Sequence, residues 1–390
     1  MKIGTTNRNF LKFGILCVAM TNGGNMPLVP ALGAIKEAMP DVSLPLIQSL
    51  LSVQCLFIAF APMWYAKLLE ILPKRRIMQF GMMIFLIGGI MPYFLHQNIW
   101  IMLIFRALVG TGNGLCMLLS MDLVVDFFDD HERDSMQGVL SAVANVTGVI
   151  YQLIAGYLIQ FGWRYAFLTF SLGSIYLILA TIIVPEPNRK GKIKAMEGAE
   201  DIRAKLNPKV FLFSAVTVLF FIAWMSAFNN MSFTLTTEKL GTAWQIGLVT
   251  SCASLGGLIL ALCFGFIQER MHHNSITLSY ILSAAGLFVL YFSHHLVPFA
   301  CGAALIGMAL GIIVPAQITK VTEMVPYSAA PKAIASITFS LGVGQFLQPI
   351  VFSFLGEHGQ GREGFLAAGI MTVLLIGLII IVLKITSQKG

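Results

Sequence analysis

The sequence predicts an all-α integral membrane protein whose 12 transmembrane helices form two pseudo-symmetric six-helix bundles. Three observations carry this. The 390-residue chain has only 11% charged residues and a mean hydropathy of +0.82, whereas a water-soluble domain carries about 25% charged residues. About twelve apolar runs reach the roughly 20 residues that cross a bilayer core as helix. A charged turn, Ala66-Lys-Leu-Leu-Glu70-Ile-Leu-Pro73-Lys74-Arg75-Arg76, is echoed almost half a chain later as Gly265-Phe-Ile-Gln-Glu269-Arg270, the mark of a duplicated six-helix unit. A membrane barrel would instead show alternating segments of about ten residues.

Span one covers residues 11–33. Lys2, Arg8 and Lys12 ahead of it resemble a secretory leader, but the apolar stretch outlasts a leader's core and further spans follow, so a retained helix is expected. Asn22-Gly-Gly-Asn25 with Pro27 and Pro30 interrupts this span, and such breaks are tolerated at membrane depth only where freed backbone groups face a cavity or partner. Span two, 44–69, carries Gln48 and Gln54 and ends in the charged turn. Span three, 77–95, has only Gln79 near one end. Span four, 98–126, holds Arg106, Asn113, Asp122 and Asp126; span five, 137–160, holds Asn145, Tyr151 and Gln152; span six, 164–184, has no amide.

The longest hydrophilic stretch follows and is read as a cytoplasmic linker, 185–208, between domains 1–184 and 209–390. Span seven, 209–235, carries Asn229 and Asn230 among hydroxyl residues and is expected to be broken like span one. Spans eight to twelve fall at 243–267, 276–295, 297–322, 332–355 and 364–384. Gln317 lies in span ten and Gln345 and Gln348 in span eleven, while spans nine and twelve have no amide.

Basic residues set the orientation. With the N-terminus inside, Lys67, Lys74, Arg75, Arg76, Arg133, Arg270 and most others fall in cytoplasmic segments, while the opposite face has Lys36, Arg164, Lys239 and Arg362. The positive-inside rule then puts both termini in the cytoplasm of a multi-pass protein of the cell (inner) membrane. The net charge of +7 tracks topology, so no nucleic-acid partner is expected. The six cysteines and seven histidines show no ligand or redox spacing, so no metal or cofactor is expected. No nucleophile paired with a base and no phosphate-binding glycine loop is visible, so the chain is not expected to be an enzyme.

Several patterns coincide at these loops and together resemble the major facilitator superfamily over the whole chain, closest in outline to its drug/proton antiporter-like permeases. The turn after span two is similar to that family's Gly-x-Leu-Ala-Asp-Arg-x-Gly-Arg-Lys signature, with Ala66, Leu68, Glu70 and Lys74-Arg75 at its positions and departures at Ile71 and Pro73. Span four carries Arg106-Ala-Leu-Val-Gly110-Thr-Gly112, and Phe161-Gly-Trp163-Arg164-Tyr165 resembles the family's turn between spans five and six. The resemblance implies a conformational latch at Glu70, Lys74 or Arg75, Asp122 and Asp126, with Glu269 and Arg270 in the second copy. The alternative is that the acidic stretch from Asp122 to Asp134 is a solvated face opposite basic loops; the resemblance and the general use of paired charges at interfaces favour the latch.

Polar amides are expensive in lipid and turn towards protein or water. Their concentration in spans one, two, four, five, seven, ten and eleven matches the spans that line the family's cavity, except for span eight. Asn22, Asn25, Gln54, Asn113, Asn145, Tyr151, Gln152, Asn229, Asn230, Gln317, Gln345 and Gln348 are therefore candidate solute-binding residues. Arg106 is the one basic side chain deep in a span; at a helix centre it costs about 2.5–3.5 kcal/mol on insertion scales. Three roles stay open for it: binding an anionic solute group, tuning proton movement, or clamping backbone carbonyls of a neighbouring helix. The offset between the two charged turns places Leu305 at its position in the repeat.

These readings predict a secondary active transporter working by alternating access on a small-molecule solute. Efflux of a small organic or drug-like solute coupled to protons is preferred on the resemblance; the alternatives are uptake or exchange of a small organic anion held by Arg106, and a transporter-like membrane sensor. Span five departs from the exporter pattern, with Tyr151-Gln152 where a Gly-Pro pair is usual. A monomer in contact with membrane lipid is expected.

Overall fold

The structure is a computed structural model that describes residues 5–187, 207–272, 274–326 and 329–387. Twelve helices among these are long and apolar enough to cross a membrane. Numbered by span, their main α-helices are α1 Thr5–Ala19, α2 Leu44–Ile71, α3 Lys74–Phe94, α4 Ile99–Phe127, α5 Asp130–Leu158, α6 Leu172–Ile183, α7 Pro208–Thr237, α8 Ala243–Leu262, α9 Asn274–Phe292, α10 Leu296–Glu323, α11 Ala330–Ser353 and α12 Gly361–Ser387; the first span, Arg8–Ala38, and the sixth, Trp163–Ile183, reach membrane length only with their three-ten turns. Side chains such as Ile104, Ile178, Ile182, Leu374 and Ile381 stand exposed along them, as expected where lipid is the solvent.

Span one is broken where Gly and Pro predict it. Past Ala19 the chain tightens into three-ten turns, Met20–Asn25 and Val29–Ala31, before a last helix, Leu32–Ala38. Pro27 and Pro30 have no N–H to give the ladder, and the turns close instead on short bonds, Val29 N–H to Met26 O at 3.2 Å and Ala31 N–H to Leu28 O at 3.0 Å. Span seven corrects the expectation of a matching break, because α7 runs unbroken from Pro208 to Thr237. It has neither Gly nor Pro beyond its first turn, so nothing opens its hydrogen-bond ladder. Span eight ends earlier than expected, at Leu262, and a separate short helix, Phe264–Met271, carries the second charged turn.

The chain divides into two compact units, one from Met1–Pro187 with Gly241–Ser251 and the other from Asn188–Leu240 with Cys252–Gly390. The N-terminal turns of α8, up to Ser251, thus count with the first unit; the residues 188–206 of the expected linker lie outside those described. In the first unit α3 packs on α4, α5 on the Met20–Asn25 turns, α3 on the Trp163–Ser171 three-ten segment that leads into α6, and α1 on α6. In the second, α9 packs on α10, α7 on α11, α9 on α12 and α7 on α12. The same pairings recur in the same order, as duplication requires.

Glycines fix the register of one pair in each unit. A Cβ on Gly110 of α4 would lie 2.3 Å from the Gln54 carbonyl oxygen of α2, and one on Gly114 would lie 3.2 Å from Ile58 Cα. In the second unit a Cβ on Gly307 of α10 would lie 1.7 Å from the Ala253 carbonyl oxygen of α8, and one on Gly311 would lie 2.4 Å from the Gly257 oxygen. Small residues let the helix backbones touch at these points. Matched through these contacts, Gln54 corresponds to Ala253, and Arg106, one turn before Gly110, corresponds to Ala303, not to Leu305. The two charged turns misplace this position because the connection between them is two residues shorter in the second half.

Candidate functional site

Asn98 starts α4 by accepting the Trp100 N–H at 2.9 Å, which sets the phase of the helix that carries Arg106. That phase turns the guanidinium to α2, where the Gly110 contact holds the two helices together. The side chain is wholly buried. Nε donates to the Leu50 carbonyl at 2.7 Å, Nη2 donates to Gln54 Oε1, and Nη1 is buried with no hydrogen-bond partner. The Leu50 oxygen already serves the α2 ladder, so Arg106 uses its second lone pair.

The seat of this arginine is aromatic, and the ring beneath it comes from span six, which has no amide. Its guanidinium lies 5.5 Å over the Phe170 ring, and Phe170 meets Phe85 of α3 edge-on at 5.4 Å and Tyr151 of α5 at 6.1 Å. Gly89 and Gly24 make room for the rings, since a Cβ on Gly89 would stand 2.3 Å from Phe170 Cγ and one on Gly24 2.4 Å from Phe85 Cζ. Phe85 and Phe170 carried no signal in the sequence, because an aromatic in an apolar run looks like any other core residue.

Tyr151 is buried with its hydroxyl unpartnered, and Asn22 has a buried, unpartnered Oδ1. Both flank the same seam, where Gly23 lies against the Thr147–Gly148 backbone of α5. Asn113 and Gln152 are buried in this unit. Asn145 is half-buried and donates to the Ser141 carbonyl of its own helix at 2.9 Å. The Asn25 side chain lies outside those described.

In the second unit Asn229 Nδ2 donates to Gln348 Oε1, while Gln348 Nε2 is buried without a partner. Gln345 is buried one turn before Gln348. Gln317 donates to Thr217 Oγ1 at 3.0 Å and keeps an unpartnered Oε1. Asn230 is committed to structure: Oδ1 accepts the Gly361 N–H at 2.9 Å and Nδ2 donates to the Ser226 carbonyl at 3.1 Å. It fastens α7 to the start of α12. Ala303 stands at the Arg106 position here, and Trp224 of α7 donates its indole N–H to the Ile306 carbonyl of α10 at 3.0 Å.

At the end of the first unit where α2 turns into α3, Lys74 bridges two carboxylates, with Nζ 2.5 Å from Asp122 Oδ2 and 2.6 Å from Asp126 Oδ2. Tyr65 donates to Asp122 at 2.8 Å. Of the two basic residues that the resemblance offered, Lys74 makes these pairs, whereas Arg75 donates to the Thr181 carbonyl at 2.7 Å. Glu186, which sequence reasoning missed, accepts the backbone N–H groups of Lys74 and Arg75 at 3.0 and 2.8 Å. A carboxylate is favoured there because the first N–H groups of α3 have no partner within the helix. Glu70, Glu269 and Arg270 are exposed and make no ion pair among the described residues. No group of three or more His, Cys, Asp or Glu among the described residues could hold a metal ion.

The profile of the Major Facilitator Superfamily matches residues 11–244 and 216–389. The MFS transporter cpaT of Aspergillus oryzae is 24% identical over 411 residues, covering 90% of this chain and 82% of the relative. The quinolone resistance protein NorA of Staphylococcus aureus is 20% identical over 317 residues, 80% of each chain. The cis,cis-muconate transport protein of Acinetobacter baylyi is 24% identical over 291 residues, 68% of each. Among solved structures the nucleoside transporter NupG superposes with a TM-score of 0.80 at 12% identity, covering 96% of this chain and 99% of that one, a likeness of fold. With twelve spans in duplicated six-helix units and a family profile along nearly its whole length, the chain belongs to the Major Facilitator Superfamily of membrane transporters.

Proposed function

We propose that this secondary transporter moves a small organic solute whose anionic group is taken by Arg106. The single observation that carries the reading is the buried Nη1 of Arg106, which has no partner while the other two nitrogens are committed to Leu50 and Gln54. A guanidinium held on two sides presents its remaining N–H groups in a fixed direction, the geometry that suits a carboxylate. The likeness to a muconate transport protein agrees with such a solute. Asn22, Gln54, Asn113, Tyr151, Gln152, Asn229, Gln317, Gln345 and Gln348 are the polar residues proposed to meet the solute; Asn145 and Asn230 are not, since both are spent on backbone groups within their own units.

In this reading residues 1–184 and 209–390 are the two moving bodies of an alternating-access cycle. The Lys74, Asp122 and Asp126 cluster is a latch that forms in one conformer and opens in the other. The protein works as a monomer in the cell membrane, with both termini in the cytoplasm. Counterflow of a labelled unsaturated dicarboxylate into proteoliposomes tests the proposal: wild-type protein accumulates it and Arg106→Ala does not. Binding without flux would make the protein a sensor and end the transport reading.

The likeness to a quinolone resistance protein favours a second reading, efflux of a drug-like amphiphile in exchange for protons. An imposed pH gradient then drives amphiphile flux that is insensitive to organic acids. Dicarboxylate counterflow without such flux would eliminate it.

A further inference from the structure

At the end of the first unit away from the Lys74 turn, the backbone occupies one cation: Lys36 donates to the carbonyls of Pro40 and Val42 at 2.9 and 2.7 Å. Arg164 is different: it is exposed, it makes no ion pair among the described residues, and two rings hold it, Tyr93 at 6.0 Å and Tyr165 at 5.7 Å.

Its depth is set by the helices around it. Tyr93 stands in the last turn of α3, whose 21 residues span about 30 Å at 1.5 Å per residue, one hydrocarbon thickness from the Lys74 turn. Arg164 therefore stands at the opposite membrane interface. The surroundings are those of that level: Tyr93 and Tyr165 meet edge-on at 5.4 Å, Trp163 meets His96 at 5.4 Å, and Phe94 and Phe161 leave 61% and 60% of their surface exposed. Aromatic rings concentrate where hydrocarbon gives way to headgroups.

We infer that Arg164, held by Tyr93 and Tyr165, binds the phosphate of one membrane phospholipid. The two rings take up the cation by its π-contacts and leave its N–H edges for a planar pair of oxygens. The anion abundant at this depth is the lipid phosphate, and the exposed Phe94 and Phe161 offer apolar surface to its acyl chains. The same lipid would join α3 to the Trp163–Ser171 segment, tying two elements of the first unit from outside.

Native mass spectrometry of protein released from bilayers of phosphatidylglycerol tests this. Wild-type protein is expected to retain a phospholipid that Arg164→Gln loses by about tenfold, the scale of a charge-assisted hydrogen bond. Arg164→Lys, which keeps the charge but not the fork, is expected to fall between, and an unchanged thermal midpoint shows that both variants fold. Equal retention by the variants overturns the inference, as does equal retention of a phosphate-free glycolipid. Displacement of the lipid by millimolar inorganic phosphate would also overturn it, by making the ligand a free anion.

Discussion

Arg106 of α4 donates to Gln54 Oε1 of α2, a buried pair 52 residues apart in sequence. The matching positions of the second unit, fixed by glycine contacts, are Ala303 and Ala253. The duplicated architecture thus keeps the helix contact and loses the polar pair, which confines this buried guanidinium to one unit.

Replacing Arg106 is expected to separate binding from folding. Arg106→Lys keeps a positive charge, but one ammonium cannot reproduce the fork shared by Leu50, Gln54 and a solute. One charge-assisted hydrogen bond is worth about 1.5–3 kcal/mol, so anion affinity should fall roughly 10- to 150-fold. Scintillation proximity binding with a labelled organic acid measures it.

Removing Lys74 leaves Asp122 and Asp126 facing one another without a cation. Lys74→Ala should destabilise the protein, and adding Asp126→Asn should recover part of the loss, with a coupling of about 0.5–3 kcal/mol. Arg75→Ala gives up a single bond to the Thr181 carbonyl and should cost about 1 kcal/mol. Thermal unfolding of the wild type, Lys74→Ala, Asp126→Asn, their double variant and Arg75→Ala in one detergent gives the comparison.

Asn230→Ala strands the Gly361 N–H, so a stability loss of about 1–3 kcal/mol is expected. Solute affinity should stay unchanged. Gln348→Ala should instead raise the half-saturating solute concentration, since its Nε2 is buried and uncommitted. Parallel uptake curves and melting curves distinguish the two.

Gly110→Ala forces a methyl to within 2.3 Å of the Gln54 carbonyl oxygen. Separating α2 from α4 should cost about 1–3 kcal/mol and loosen the Arg106 pair with it. Gly138 of α5 has nothing within 4 Å of its would-be Cβ, and Gly138→Ala should stabilise by about 0.5–1 kcal/mol. Opposite shifts in melting temperature are the expected result.

Much of the candidate site was legible as residue types. Arg106, Gln54, Asn229 and Gln348 stand out because a buried polar group in an apolar span needs a partner. Their partners were not legible. Phe85 and Phe170 are indistinguishable by composition from lipid-facing aromatics, and Leu50 contributes only a carbonyl that every residue possesses. Asn229 and Asn230 are neighbours of one type, yet one reaches Gln348 on α11 and the other the Gly361 backbone, because adjacent side chains on a helix point about 100° apart.

The sequence by itself determined the twelve spans, the duplication and the break in span one. Transfer of consecutive residues from water to lipid depends on composition along the chain, and Pro lacks its N–H wherever it stands. Tertiary structure decided that Lys74 and not Arg75 meets the carboxylates, that span seven stays whole, and that Ala303 and not Leu305 answers Arg106. Those outcomes depend on helix phase and on where backbones touch, which Gly110 and Gly307 set by close approach across elements far apart in the chain.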